Sequence, residues 1–579
     1  MSEVTRISAQ KVEEDRVWKS EPRTTAQVRF PDGQVYEAPV GTRLETYIRE
    51  ADLDLDAPVT AALVDGELEE LTYLVTRDVD VTPLTMRTQD GMRVYRRSLT
   101  LLLIAAAAEL FPEAKIYVDH SLTFGGYFCQ VRGREPFTPE ELAQIEARMR
   151  EIVEADEPIT KERLKLADAV AFFQARGDMD KVRLLKHRSK DDLVLYGIRN
   201  TRDYFPGYMV PSTGYLRWFA LRHCPPGFVL QFPRRIDPTR LQPYKDYPKL
   251  MTVFREYGEW MRLLHVEDVG GLNEAIANDR IREIILVAEA LHEQRIAQIA
   301  QEILERRPHV RLVLIAGPSS SGKTTFARRL SVQLLANGIR PFALGLDDYF
   351  VDREKTPRDE EGNYDYESLG AVDLQLFNEH LLKLMDGQAV QLPRYNFRTG
   401  RREKGPVVQL SRGHVIIVEG IHGLNPALVP HIPPENIYRI YVSALTQLNL
   451  DQHNRVPTTD TRLIRRIVRD ATYRGYSAQE TIQRWESVRR GERKYIFPYQ
   501  EHADVMFNSA LLYELSVLRP LAEPLLLQIR PKTPEYIEAK RLLAFLNWFL
   551  PADSKWVPDN SILREFIGGS ILRDFSLVV

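Results

Sequence analysis

Arg311-Leu312-Val313-Leu314-Ile315-Ala316-Gly317-Pro318-Ser319-Ser320-Ser321-Gly322-Lys323-Thr324 is the stretch on which the fold of the C-terminal half turns. Leu312 to Ala316 is an unbroken apolar run, as expected of a strand buried on both faces. Thr325 to Leu335 then shows the spacing of an amphipathic helix. A strand, a loop of the form G-x4-G-K-[ST] and a helix, in that order, predict a phosphate-binding loop in an α/β fold with a parallel sheet flanked by helices. The glycines let the main chain wrap closely round phosphate with its N–H groups turned inward, and the helix N-terminus adds positive potential. The expected cradle is Gly317, Ser319, Ser320, Ser321, Gly322, Lys323, Thr324 and Thr325. Lys323 is placed to reach the β- and γ-phosphates of a nucleoside triphosphate, and Thr324 to ligate Mg²⁺. A chance Gly/Ser turn would match the motif but not the flanking strand and helix.

A phosphate loop alone does not say what is done with the nucleotide. A second strand, Phe342 to Leu346, ends in Asp347-Asp348-Tyr349-Phe350. Residues at strand C-termini line the crevice of a parallel sheet, so Asp347 is a candidate to accept a proton from an attacking hydroxyl or to hold metal. Asp348 fits a turn or cap better. A third strand, His414 to Val418, runs into Glu419, a Walker-B-like acid facing the metal. Between them lie Asn363-Tyr-Asp365-Tyr-Glu367 and Gln391-Leu-Pro-Arg-Tyr395-Asn-Phe397. A carboxylate near two aromatics suits a ligand with hydroxyls and a flat ring, and equally suits an ordinary β-hairpin. Asp460 to Asp470 is helical, with Arg462, Arg466 and Arg469 on one face, followed by Arg474-Gly475. Such a stripe can clamp phosphoryl oxygens or simply be a solvated basic face.

The 579 residues, 44% hydrophobic and 27% charged, exclude a disordered chain or a fibre and suffice for roughly three to five domains. The 78 Lys and Arg against 81 Asp and Glu give a net charge of −3, no global reason to bind nucleic acid or an anionic membrane. Two cysteines, Cys129 and Cys224, exclude a disulfide framework or a four-cysteine zinc site. The polar start Met1-Ser-Glu-Val and a longest apolar run (Leu99 to Ala108) about half the length that spans a bilayer point to a cytoplasmic protein with no membrane partner.

Along the chain, residues 1–25 are expected to be a flexible tail. Residues 26–88 alternate strands and turns with a short helix at Thr42 to Glu50, as a β-grasp module does. Residues 89–232 are mixed, opening on a buried helix at Arg97 to Leu110; Glu140 to Ala155 and Lys161 to Arg176 both show helical spacing with i,i+4 charge pairs. Residues 233–308 form a Pro-rich boundary and a long helix through Ile281 to Ile303. Residues 309–512 hold the phosphate-loop fold, and residues 513–579 are an apolar helical extension that packs on it or makes a subunit contact; a homo-oligomer is expected.

The ordered motifs from Arg311 to Ser509 resemble those of uridine/cytidine kinases in the phosphoribulokinase–uridine kinase superfamily. The resemblance rests on the phosphate loop, Asp347-x-Tyr, Tyr-Asp365, Leu392-Pro-x-Tyr-x-Phe, Glu419-Gly-Ile and Asp460-Thr-Arg-Leu-x-Arg-Arg-x-x-Arg-Asp-x-x-x-Arg-Gly. It implies ATP and Mg²⁺, with transfer of the γ-phosphoryl group to a nucleoside 5′-hydroxyl. Asp347 would be the base. Lys323, Arg469 and Arg474 would spread the transferring charge, Asp365 and Arg466 would hold the ribose hydroxyls, and Tyr395 and Phe397 would pack near the base. Thr324, Asp347 and Glu419 would surround the metal. Three positions depart from the pyrimidine kinases: Gly400 replaces a base-reading His, Tyr476 an Arg after the lid, and Arg484 a Gln. Phosphoryl transfer is therefore expected, with the base preference left open between nucleosides.

The N-terminal half resembles that of threonyl-tRNA synthetases, a TGS domain at Val28 to Thr88 and an editing-type α+β domain to about Phe232, on Leu110-Phe-Pro112 and Val210-Pro-Ser-Thr-Gly214. The four positions that carry metal-binding His and Cys there are Leu101, Ala105, Phe205 and Met209 here, so no editing hydrolysis is expected. The expected partner is a small nucleoside-like molecule. A kinase of another sugar-like alcohol is the second reading. A nucleotide-gated RNA- or ribosome-associated factor is the third, for which the sequence shows no basic stripe with interleaved aromatics.

Overall fold

The computed structural model describes residues 21–358, 362, 364–396, 398–411, 413–573 and 575. Much of the expected tail lies outside them.

The N-terminal sheet is ordered Val35–Pro39, Thr25–Arg29, Val79–Thr85, Val59–Val64, Glu67–Glu69, with Thr25–Arg29 and Val79–Thr85 parallel and the other pairs antiparallel. Helix α1, Gln89–Leu110, follows. Thr88 starts it, its hydroxyl accepting from Gly91 N at 3.1 Å. Its run of Leu and Ala is buried on nearly every side, against helix Pro139–Glu154 and the antiparallel strands Lys115–Leu122, Gly126–Arg132, Gly227–Gln231 and Ala220–Cys224. One expectation fails here. Thr160–Lys165 is a strand, paired antiparallel from Thr160↔Gly197 to Lys165↔Asp192, and the helix starts only at Leu166. The charges that suggested i,i+4 pairing act across strands instead: Arg163 meets Asp192 at 2.6 Å.

The long helix α2, Ile281–Glu305, leads to β1, Leu312–Ala316, and the loop to α3, Lys323–Ala336. Three further strands, β2 (Arg340–Gly345), β3 (His414–Glu419) and β4 (Ile437–Ser443), precede helices α4 (Thr458–Tyr473) and α5 (Ala478–Tyr495) and strand β5 (Val505–Asn508). The five strands are all parallel, in the order β2-β3-β1-β4-β5. Their register aligns Ile315 with Glu419 and Ile440, and Gly345 with Glu419. The phosphate loop, Asp347 and Glu419 therefore leave the sheet at one edge, where a parallel α/β sheet binds ligands.

One apolar cluster joins distant parts of the chain. It runs from Phe173 and Leu184 through Ile284 and Ile299 of α2 to Phe326 of α3, Leu463 of α4, Phe549 and Phe566. A buried ionic knot lies beside it: Lys181 Nζ is 2.9 Å from Asp451 and 3.2 Å from Asp203, and His453 Nδ1 is 2.5 Å from Asp203. Lys181, Asp203 and Asp451 are almost wholly buried. Among the described residues no helix is long and apolar enough to cross a membrane.

Removing one partner from such a knot leaves uncompensated buried charge. Lys181→Met is expected to destabilise the fold by about 3–5 kcal/mol, measured by denaturant unfolding; a loss below about 1 kcal/mol would show that the knot does not tie the two halves.

Candidate active site

The loop leaves β1 at Gly317, where a Cβ would collide with the carbonyl oxygen of Val442 in β4. Only glycine lets the loop pass that close to the neighbouring strand. Gly322, at φ 81°, caps α3 in the left-handed region, and Ser320 shares that conformation at φ 57°. The hydroxyls of Ser320 and Ser321 are buried without a hydrogen-bond partner among the described residues. Lys323 Nζ donates to Pro318 O at 3.1 Å, and Thr324 Oγ1 donates to Glu419 Oε1 at 2.9 Å. Burial pulls the Lys323 ammonium down from its ordinary value, and the Glu419 and Glu565 carboxylates pull the other way.

Carboxylates crowd this cradle. Burial pushes the Glu419 carboxyl up, opposed by Lys323. Asp347 leaves β2 in a short 3-10 turn, Leu346–Tyr349. Its surface stays open to the crevice although protein surrounds it, and desolvation and then Asp348 push its pKa up while Lys323 and Arg474 oppose. Asp348 itself accepts from Tyr395 N at 3.1 Å. Glu367, which the sequence motif contains but did not single out, is raised from 4.5 to about 7 by burial and then by Glu492, against Lys323 and Arg466.

Two glutamates that no motif marked occupy the loop directly. Glu492 of α5 takes Ser319 N–H on Oε1 at 3.0 Å, and is held by Arg462 and by Arg489 at 2.7 Å. Glu565, from the C-terminal extension, accepts on Oε2 from Thr325 N at 3.1 Å and from Thr325 Oγ1 at 2.9 Å. Thr325 N–H is in the first turn of α3, a donor that the helix itself leaves unpaired. Ile562 packs over Gly322 from the same extension.

The arginines of α4 do not form one solvated stripe. Arg462 and Arg465 are buried. Arg462 Nε donates to Ser319 O at 2.8 Å, while Arg465 pairs with Glu514 at 2.5 Å and donates to Ser509 O at 2.8 Å. Arg466 donates to Ser319 Oγ at 2.8 Å. Arg466, Arg469 and Arg474 all converge on Asp470, at 3.2, 2.8 and 3.6 Å.

On the acceptor side, Asp365 accepts from Tyr495 OH at 2.8 Å and from Glu367 N at 3.2 Å. Tyr395 is buried in the hairpin of Ala389–Asn396 with Arg401–Gln409, edge-on to Phe350 at 5.6 Å. Phe397 lies outside the described residues. At Gly400, φ 69°, a Cβ would stand 2.7 Å from Arg353 Nε, so Arg353 fills the space a larger side chain would need. The other two departures meet each other: the Arg484 guanidinium stacks 4.1 Å over the Tyr476 ring. In the N-terminal half, Leu101, Ala105, Phe205 and Met209 are all buried in one apolar cluster. The described residues contain no group of three or more His, Cys, Asp or Glu side chains able to hold a metal.

Comparison with known proteins finds two separate likenesses in the chain. Residues 312–514, about a third of the chain, match the Phosphoribulokinase / Uridine kinase family. The N-terminal region is similar to threonine–tRNA ligases. That of Symbiobacterium thermophilum is 35% identical over 199 residues, covering 34% of this chain and 30% of that protein. That of Polaromonas naphthalenivorans is 33% identical over 203 residues, covering 34% and 31%. The chain thus spans under a third of the length of these curated relatives. Among solved structures, one described as a possible uridine kinase from Bacillus stearothermophilus is 26% identical, with 37% of this chain and 97% of that one covered at a TM-score of 0.24. Phosphoribulokinase from Rhodobacter spheroides is 19% identical, with 34% and 70% covered at a TM-score of 0.24.

Two outcomes follow from the carboxylates. Between pH 4.5 and about 7 the folded protein keeps a proton on Glu367 that the unfolded chain has released, so this group's contribution to stability is lost as pH rises through that window. Glu367→Gln should match the parent near pH 4 and exceed it above pH 8 by on the order of 2 kcal/mol, measured by denaturant unfolding at the two pH values. Glu565→Gln removes an anion from a phosphate-binding N–H and should tighten ATP binding about tenfold by calorimetry, the scale of one charge-assisted hydrogen bond; weaker binding would show that Glu565 supports the nucleotide instead of opposing it.

Proposed function

We propose that this chain is an ATP-dependent kinase that transfers the γ-phosphoryl group to the 5′-hydroxyl of a nucleoside. The observation that carries the reading is the convergence at one sheet edge of the phosphate loop, Glu419 on Thr324, and Asp347 at the end of the neighbouring strand, where Lys323 opposes the rise of its pKa. In the proposed mechanism the inward N–H groups of the loop, the Ser320 and Ser321 hydroxyls and Lys323 bind the phosphates. The donor set suits a hard divalent cation: Thr324 Oγ1 and the carboxylates of Glu419 and Asp347 would hold Mg²⁺ directly or through water. Bound there, the metal would neutralise charge on the β- and γ-phosphate oxygens.

Asp347 orients the acceptor hydroxyl and takes its proton, and its raised pKa makes it a better base than a solvent carboxylate. Arg466, Arg469 and Arg474 lie round Asp470 and share it. Turning from Asp470 toward the nucleotide, they would spread the transition-state charge over the transferring group. Asp365, with Arg466, would fix the ribose hydroxyls, and Tyr395 and Phe397 would flank the base.

A second acceptor class, another sugar-like alcohol, is favoured by one observation: Arg353 occupies the space beside Gly400. A site that loses a base-edge hydrogen-bonding partner loses much of its discrimination. Incubating the protein with ATP, Mg²⁺ and a pool of nucleosides and polyols, then identifying the monophosphate by mass, separates the two.

With the acceptor so found, Asp347→Asn should lower kcat by about 10²–10⁴-fold and leave ATP binding unchanged. An Asn variant that keeps most of its kcat would remove Asp347 from the base role.

A further inference from the structure

A large cavity lies between the N-terminal half and the phosphate-loop half. It measures about 1520 Å³, and none of residues 317–325 lines it. Its walls come from α1, the segment around Arg234, the segment around Arg455, α5 and the helix that carries Arg541. Thirteen arginines and two lysines line it against four carboxylates, Glu67, Asp90, Asp460 and Glu486. Each of the four is already paired: Glu67 with Lys540 at 2.6 Å, Asp90 with Arg93 at 2.9 Å, Asp460 with Arg541 at 2.6 Å, and Glu486 with Arg235 at 2.7 Å.

Several of the other lining arginines are paired as well: Arg87 with Asp56, Arg462 and Arg489 with Glu492, and Arg493 with Glu486. Among the described residues no carboxylate lies within ion-pair distance of Arg96, Arg97, Arg188, Arg234 or Arg455, and the Nε atoms of Arg96 and Arg455 are buried with no hydrogen-bond partner. Burial, and then the neighbouring Arg235 and Arg455, hold the Arg96 guanidinium below its ordinary value; burial, and then Arg493, do the same to Arg234; Arg97 is brought down to about 10, burial being the main cause. Clustered guanidiniums without counter-charge are costly in a closed space unless an anion enters. Their forked donors fit phosphate oxygens in pairs. Half-buried Tyr127 and Phe497 share the same walls, Arg455 lying 5.0 Å from the Tyr127 ring centroid and Arg489 5.6 Å from that of Phe497, so aromatic and guanidinium surfaces stand side by side as base stacking requires. The volume exceeds the 300–1,000 Å³ or so typical of a pocket for one small ligand.

We propose that this chamber is a second ligand site, separate from the phosphate loop, for a polyphosphorylated nucleotide: several phosphates on the guanidiniums that have no carboxylate partner and at least one base on the aromatic walls. The same chemistry is offered by a free nucleoside polyphosphate and by the end of a single-stranded polynucleotide.

The test uses the full chain and two probes, adenosine 5′-tetraphosphate and a 5′-phosphorylated trinucleotide, with ATP binding measured alongside. Arg96 and Arg455 touch neither the loop nor its acids, so Arg96→Gln/Arg455→Gln should keep ATP affinity at the loop and weaken the chamber probe at least tenfold. The single variant Arg455→Gln should show a smaller loss in the same direction, which covers any folding defect of the double variant. Binding of the favoured probe should also fall steeply with added salt. Tighter capture of the trinucleotide assigns the polynucleotide source, and tighter capture of the tetraphosphate assigns the free nucleotide. The proposal is overturned if neither probe binds below about 1 mM, or if both arginine variants bind as tightly as the parent.

Discussion

A main chain that curls with its N–H groups inward demands negative charge, and much of the active-site architecture answers that demand. Buried donors left unpaired are expensive. Here Ser319 N–H goes to Glu492 and Thr325 N–H to Glu565, from segments more than 170 residues further along the chain. Each carboxylate that satisfies the loop also fixes its own segment: α5 on one side, the C-terminal extension on the other. On the proposed reading, nucleotide binding would be in part an exchange of anions, with phosphates displacing these two carboxylates from Ser319 and Thr325.

The outward side of the same loop makes the complementary demand. Two of its carbonyls take donors from the buried arginines of α4: Ser319 O from Arg462 at 2.8 Å and Ser320 O from Arg465 at 3.4 Å. This splits one helix into two roles. The buried guanidiniums set the position of α4 against the loop. Arg466, Arg469 and Arg474 share a single carboxylate, Asp470, and Arg466 also donates to Ser319 Oγ. Three cations on one acid are held less firmly than three ion pairs, and that leaves them available to a triphosphate.

What could be read in the sequence was what is local. The strand–loop–helix at Leu312 to Ala336 needs only neighbours in sequence, and so does the apolar length of α1. Thr160–Lys165 misled because charges four apart on a helix and charges alternating on an edge strand share a composition; the pairing with Asp192–Ile198 decides between them. The arginine spacing in α4 gave the face correctly but could not say that Arg462 and Arg465 turn inward. Glu492 and Glu565 carry no motif, since each acts through a partner far away in sequence. The cationic chamber was invisible for the same reason. Its arginines are scattered from Arg87 to Arg541 and form no stripe until the two halves meet.

The departures from the pyrimidine-kinase pattern bear on whether the site has decayed or been rebuilt. Decay leaves holes and unpaired polar groups. At Gly400 the space is taken by Arg353, whose backbone N–H also donates to Gly400 O at 2.8 Å. Tyr476 and Arg484, changed together relative to that pattern, stack on one another. Substitutions that fit each other are those of a surface still under structural constraint. The changes are confined to the acceptor side and the rim of the lid, whereas the loop is tied by contacts to Glu419, Glu492, Glu565 and the α4 arginines. Under the proposed function, a phosphate-loop site kept beside an acceptor wall repacked at Gly400 is the arrangement expected when phosphoryl transfer is kept and the acceptor differs.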